Sequence, residues 1–138
     1  MTRTALSALK TAPALALAAM LAAAAPAYAG GSIGITVAPA NADEARAMRA
    51  GLVVYSLVNG FNGGSGIRQN GVANAAGLAQ NGSGNLGVVH QQGSGHTGTL
   101  SQTGNGNAHG LFQFGNNSTG HVAQTGNGGT GATFVFGW

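Results

Sequence analysis

The chain has 138 residues, of which 26 are glycine, none is cysteine, five are basic and two are acidic. That length holds one ordinary domain, and the missing cysteines exclude a disulfide framework. Such scarce charge excludes the basic patch of a nucleic-acid binder, so no nucleic-acid partner is expected.

Residues 1–29 read as a secretory signal peptide. Arg3 and Lys10 form its basic end, Leu15 to Ala25 its apolar run, and Ala27-Tyr28-Ala29 a small-x-small cleavage pattern ahead of Gly30. The run is short for a membrane-spanning helix, so the remainder is expected to be exported. Without Arg3 and Lys10 the formal charge of +3 becomes about +1. A chain with so little self-repulsion is poorly protected against association.

Residues 30–66 form an N-terminal segment. Gly31 to Pro39 is expected to be extended or disordered. Asn41 or Asp43 can cap a short helix whose first turn carries Asp43 and Glu44. Met48, Leu52 and Tyr55, with Leu57 or Val58, line one side of it as far as about Asn59. Val53 to Val58 would suit a strand equally well by composition; a helix capping the first coil of the next region is the expectation. Asn59 to Gly66 is a glycine-rich linker.

From 67 to 138 a single period organises everything. Gln69, Gln80, Gln91, Gln102, Gln113 and Gln124 are eleven apart. Ile67, Leu78, Val89, Leu100, Leu111 and Val122 precede them by two, and Gly71, Gly82, Gly93, Gly104, Gly115 and Gly126 follow by two. The tenth position of each unit, counted from its aliphatic residue and two before the start of the next, is small (Ala76, Gly87, Gly98, Gly120 and Gly131), with His109 the exception. Spacing of two is the strand period, so small, aliphatic and amide side chains share one face. The glycines, with Asn74, Asn85 and Asn107, supply corners that accept positive φ. An eleven-residue repeat can also mark a helical supercoil, but two or three glycines per unit cost about 1 kcal/mol each in a helix.

The expected fold is therefore all-β: a flattened β-solenoid of about three two-strand coils, each strand-and-corner unit being half a coil. Residues 22 apart then lie above one another. Gln69, Gln91 and Gln113 form one inward amide ladder and Gln80, Gln102 and Gln124 the opposing one, since stacked amides can satisfy each other's donors and acceptors.

Gln69-Asn70-Gly71-Val72-Ala73-Asn74-Ala75-Ala76-Gly77-Leu78-Ala79-Gln80 resembles the Gln-x-Gly-x-Gly-Asn-x-Ala repeat of curlin, the subunit of bacterial curli amyloid fibres, at every named place except Ala73. Gln102-Thr103-Gly104-Asn105-Gly106-Asn107 matches its whole turn; other units drift, with His96, Ser118 and Gly129 in place of the turn asparagine. The resemblance covers about half the chain. It implies a structural subunit, major or nucleating minor, of extracellular fibres in a biofilm matrix. It also implies self-polymerisation, a nucleator partner and export through an outer-membrane pore. Residues 30–66 occupy the place of the family's export segment without matching its sequence.

Outward positions differ between the two faces. On one, Phe112 over Phe134 and Phe114 over Phe136 are expected to stack, with Trp138 beyond. These rings are either a sticky assembly surface or a cover for the stack or the N-terminal segment. The end Phe134 to Trp138 also resembles the last strand of an outer-membrane barrel, but the repeats lack the lipid-facing alternation a barrel needs. Both ends of the solenoid are expected to present open main-chain edges, the C-terminal one uncharged and apolar, so that copies add head to tail.

His90, His96, His109 and His121 show no ligand spacing and have no cysteine beside them, and no carboxylate follows Glu44, so no metal, cofactor, small-molecule substrate or enzymatic activity is expected. The alternative function is a soluble secreted solenoid that binds a flat ligand such as ice or a glycan. Thr-x-Thr rows repeated in every coil would favour ice, and the repeats do not carry them.

Overall fold

The structure, a computed structural model, describes residues 30–138; the expected leader at residues 1–29 lies outside them. The elements are β1 (Ser32–Val37), α1 (Ala42–Val58), β2 (Gly66–Asn70), β3 (Ala75–Asn81), β4 (Leu86–Ser94), β5 (Thr97–Thr103), β6 (Ala108–Asn116), β7 (Thr119–Thr125) and β8 (Thr130–Gly137). From β2 onward the chain alternates between two sheets. Strands β2, β4, β6 and β8 build one, and β3, β5 and β7 the other. Neighbours within each sheet are parallel and offset by 22 residues, as in Leu78 beside Leu100 and Val89 beside Leu111. The chain is a β-solenoid of about three turns.

Between the sheets lies the core of Val89, Leu100, Leu111 and Val135, with Ala76, Leu78 and Val122 against it. Each fully buried aliphatic side chain contributes about 1.5–3 kcal/mol. The first coil has nothing beneath it, so Ile67 stays 39% exposed. The small residues before the aliphatic series leave room for amides from across the core: a Cβ on Gly87 would meet Gln80 and Gln102, and one on Gly98 would meet Gln91 and Gln113. At the corners, Gly104 has φ 112°, and a Cβ there would collide with the Gly126 carbonyl oxygen one coil away. Steric necessity, more than flexibility, fixes glycine at that corner.

The N-terminal segment departs from expectation in two ways. Gly31 to Pro39 takes the extended of the two expected forms, but its β1 unexpectedly pairs antiparallel with β8, placing Ile35 beside Phe134 and Thr36 beside Thr133. Gly31 and Trp138 continue the ladder with bonds of 3.0 and 2.9 Å. The C-terminal edge expected to be open is therefore covered on one sheet and free only at β7. The physical reason is that an apolar, uncharged edge strand takes any strand in reach, and its own chain supplies one.

Helix α1 does not cap the first coil. It lies along the outer face of the larger sheet, from Met48 near Ala132 and Phe134 to Asn59, which accepts a 2.8 Å bond from Arg68. Asn41 caps it by accepting from the Glu44 amide at 2.9 Å, and Glu44 accepts back from the Ala40 amide at 2.8 Å. Leu52 packs into a second cluster with Leu86 and Ala108, flanked by Val53 and Phe112. Because that apolar stripe runs across three coils, the helix gains more by lying over it than by closing one end.

Candidate functional site

The glutamines stand where the period places them, and their bonds run in one direction. Gln69 Nε2 donates to Gln91 Oε1 at 2.7 Å, and Gln91 Nε2 to Gln113 Oε1 at 2.8 Å. Across the core Gln80 Nε2 donates to Gln102 Oε1 at 2.7 Å, and Gln102 Nε2 to Gln124 Oε1 at 2.8 Å. The second hydrogen of Gln91 goes to the Ala75 carbonyl and that of Gln102 to the Leu86 carbonyl. Both hydrogens and an oxygen lone pair are thus used in side chains that are fully buried, which removes the penalty of an unpaired amide.

The ladders stop differently. Val135 stands where a seventh glutamine would, so Gln113 turns its hydrogens to Thr97 and Ser118. At the first coil Ser65 Oγ takes the place of a missing lower strand, accepting from Gln80 at 2.9 Å and from the Gly87 amide at 2.8 Å. Among the described residues, Gln124 Nε2 has no acceptor, and neither Gln69 Oε1 nor Gln80 Oε1 has a donor.

The corner asparagines also bridge coils. Asn74, Asn85 and Asn107 each donate to a glycine carbonyl 19 residues on, all at 2.8 Å. Each also accepts the amide of the residue 22 places on, at 2.9 to 3.0 Å. His96 occupies the same position, fully buried, with Nδ1 2.7 Å from Ser118 Oγ and Nε2 3.2 Å from the Gln92 carbonyl oxygen. This histidine is a substitute corner asparagine. Its place in the period was the signal that could have identified it.

His109 lies inward as expected. It is 4% exposed, and its Nε2 is 2.9 Å from Thr133 Oγ1, while Nδ1 has no partner. Burial lowers its pKa to about 4.

The aromatic rows form, with Phe112 stacked on Phe134 at 5.1 Å and Phe114 on Phe136 at 5.5 Å. They are half-buried rather than exposed, because α1 lies over the first pair: Tyr55 meets Phe112 edge-on at 5.3 Å. The Tyr55 hydroxyl bonds His90 Nδ1. Burial lowers the His90 pKa and, with Arg68 opposing, raises that of Tyr55, so burial favours the neutral form of both rings. Trp138, at the chain end, is 39% exposed. An apolar cleft of about 440 Å³ remains between helix and sheet, lined by residues including Met48, Tyr55 and Phe134.

The smaller sheet turns a bare outer face to solvent. On β5 that face reads Thr97, Thr99, Ser101 and Thr103. Sequence reasoning took only two outward positions per unit and so missed half of this row, as it missed Leu86 and Ala108 under the helix. Also missed was Arg49, whose guanidinium donates to the corner carbonyls of Gly106 and Gly84 at 2.9 and 2.7 Å and pins α1 to two successive coils. Among the described residues no group of three histidine, aspartate or glutamate side chains could hold a metal ion. No helix among them is long and apolar enough to cross a membrane. Compared with known proteins, the chain matches no family model, no curated protein and no solved structure.

Proposed function

We propose that the chain is an exported, curlin-like structural subunit of extracellular functional amyloid fibres, of the kind that build a biofilm matrix and support adhesion. It polymerises by templated strand addition. The observation that carries this reading is the pair of glutamine ladders, buried at Gln91, Gln102 and Gln113, which leave an unmatched donor at Gln124 and unmatched acceptors at Gln69 and Gln80. An added strand satisfies such an edge with main-chain and amide bonds together and buries half-exposed Ile67 and Val122. The contact is heterologous and does not close, so its product is a fibre. The partner is a second copy of the chain. The curlin resemblance adds a nucleator subunit and an outer-membrane pore.

The test is incubation of residues 30–138, which hold every described element. Dye-positive fibres with a meridional reflection near 4.7 Å are expected, and replacing Gln91 and Gln102 by leucine is expected to slow their growth. A chain that stays soluble and dye-negative for days overturns the proposal.

The hydroxyl row of β5 favours a second reading, a soluble solenoid that binds a flat ligand. The row is complete only on β5: β3 offers Ala75, Gly77 and Ala79 beside it, and β7 continues it with Thr119 and Thr125 but interrupts it with His121 and Ala123. Retardation of ice growth or retention on a glycan matrix by the soluble chain would support it.

A further inference from the structure

Seven strands, an odd number, wind through the solenoid, four in one sheet and three in the other. A ninth strand following β8 would therefore lie on β7, in the smaller sheet. That place is empty: β7 has a free edge, and Gln124 Nε2 points from it without an acceptor. At the opposite end of the solenoid the amide oxygens Gln69 Oε1 on β2 and Gln80 Oε1 on β3 both lack a donor, and β2 is the strand with which the winding begins. The tenth place, on β8, is held by β1, which is the one antiparallel strand of its sheet.

We infer that the next copy adds its β2 to β7 and its β3 to β8, displacing β1, so that successive copies are turned by half a revolution about the stack axis. The inference rests on the fibre reading above and specifies its geometry. β7 is the foothold, open before any rearrangement. There the 22-residue register sets Gln69 of the next copy on Gln124 and Ile67 on Val122, continuing one ladder without a break. On β8 the same register brings Leu78 to Thr133 and Gln80 to Val135, so the other ladder is interrupted once per copy. Each junction has one amide seam and one mixed seam, in which each pair sets a polar residue against an apolar one.

Three features fit this arrangement. The cap is held weakly from inside: β1 turns Ser32, Gly34 and Thr36, all exposed, toward the space where no strand of the smaller sheet stands opposite. β3, which takes its place, presents only Ala75, Gly77 and Ala79 outward before Asn81, side chains small enough to enter beneath the N-terminal half of α1. The helix itself, with 17 residues, is about 25 Å long. A copy adds about 17 Å of stack, three and a half strand spacings. Helices on one face would overlap, whereas a half-turn places consecutive helices on opposite faces with about 34 Å each.

Thr36 and Thr133 allow a direct test, because their Oγ1 atoms are 2.9 Å apart. In residues 30–138 carrying Thr36→Cys and Thr133→Cys, oxidation bolts β1 to β8. The expected result is loss of fibre growth when oxidised, recovery on adding reductant, and normal growth of the Thr36→Cys single variant. Equal growth of oxidised and reduced double variant overturns the displacement of β1. Fibres of the unsubstituted chain, imaged by electron cryomicroscopy, are expected to show a half-turn and a rise of about 17 Å per copy. Copies related by translation alone overturn the inference while leaving the fibre reading intact. Absence of fibres from the unsubstituted chain overturns both.

Discussion

His109 Nε2 and Thr133 Oγ1 lie 2.9 Å apart inside the larger sheet, and the same hydroxyl lies 2.9 Å from Thr36 Oγ1 on β1. One polar chain, buried at His109 and Thr133 and exposed at Thr36, thus links the solenoid to its covering strand. It stands where every earlier coil has an aliphatic residue opposite a small one.

That chain makes stability depend on acid. The unfolded chain protonates His109 near pH 6.5, but burial holds the folded form neutral down to about 4. Between those values the unfolded state binds more protons, so stability is complete above about pH 6.5, falls as pH drops and levels off below about 4. His90, lowered for the same reason, adds a slope of the same sign. Only Asp43 and Glu44 carry side-chain carboxyls, so carboxylate titration contributes little. Urea midpoints from pH 7.5 to 4 are expected to fall, and His109→Gln is expected to flatten much of that slope.

Gln91→Leu leaves Gln69 Nε2, Gln113 Oε1 and the Ala75 carbonyl without their partner. At about 1–3 kcal/mol for each buried unsatisfied group, less for half-exposed Gln69, a loss of roughly 3 kcal/mol is expected. Gln124→Leu, at the end of its ladder, breaks one bond and is expected to cost about 1 kcal/mol. Equal, small losses from equilibrium denaturation would show that the amides do not act as a continuous row.

Two corner substitutions should move stability in opposite directions. Gly104→Ala drives a methyl into a carbonyl oxygen at φ 112° and is expected to cost about 2 kcal/mol or more. Ala73, at φ 56°, occupies the place that Gly84, Gly95, Gly106 and Gly128 fill in other units at φ 67° to 73°. Ala73→Gly is expected to gain up to about 1 kcal/mol in thermal or urea unfolding.

Arg49→Ala removes both guanidinium bonds from the helix to the corners. Because one of them is solvent-exposed, a loss of roughly 1 kcal/mol is expected. Amide exchange should accelerate across Ala42–Val58 while β4 to β6 remain protected.

The solenoid was legible because its period is written in side chains that face one another. Glutamine, aliphatic and small residues at spacing two define a strand face, and the eleven-residue step defines the coil. The covering of that solenoid was not. Ile33, Ile35 and Val37 alternate with polar or small residues like any short strand, and nothing local names β8 as their partner. The helix was readable from Asn41 and its acidic first turn. Its resting place depends on Leu86, Ala108 and Phe112, which meet only after the coils have stacked. Arg49 was illegible for a related reason, since its acceptors are main-chain oxygens that carry no sequence signature. His96 was partly legible: its position in the repeat was plain, and its ability to imitate asparagine followed only from the bonds it makes.

The path from β1 through α1 to β2 ties the top strand of the larger sheet to its bottom strand, and it acts as a gauge of how many coils lie between. A further coil inserted into the repeats would carry β8 about 4.8 Å beyond the reach of β1, while deleting one would leave the helix overhanging empty space. Repeat number in this chain is therefore metered by a segment that contains no repeat.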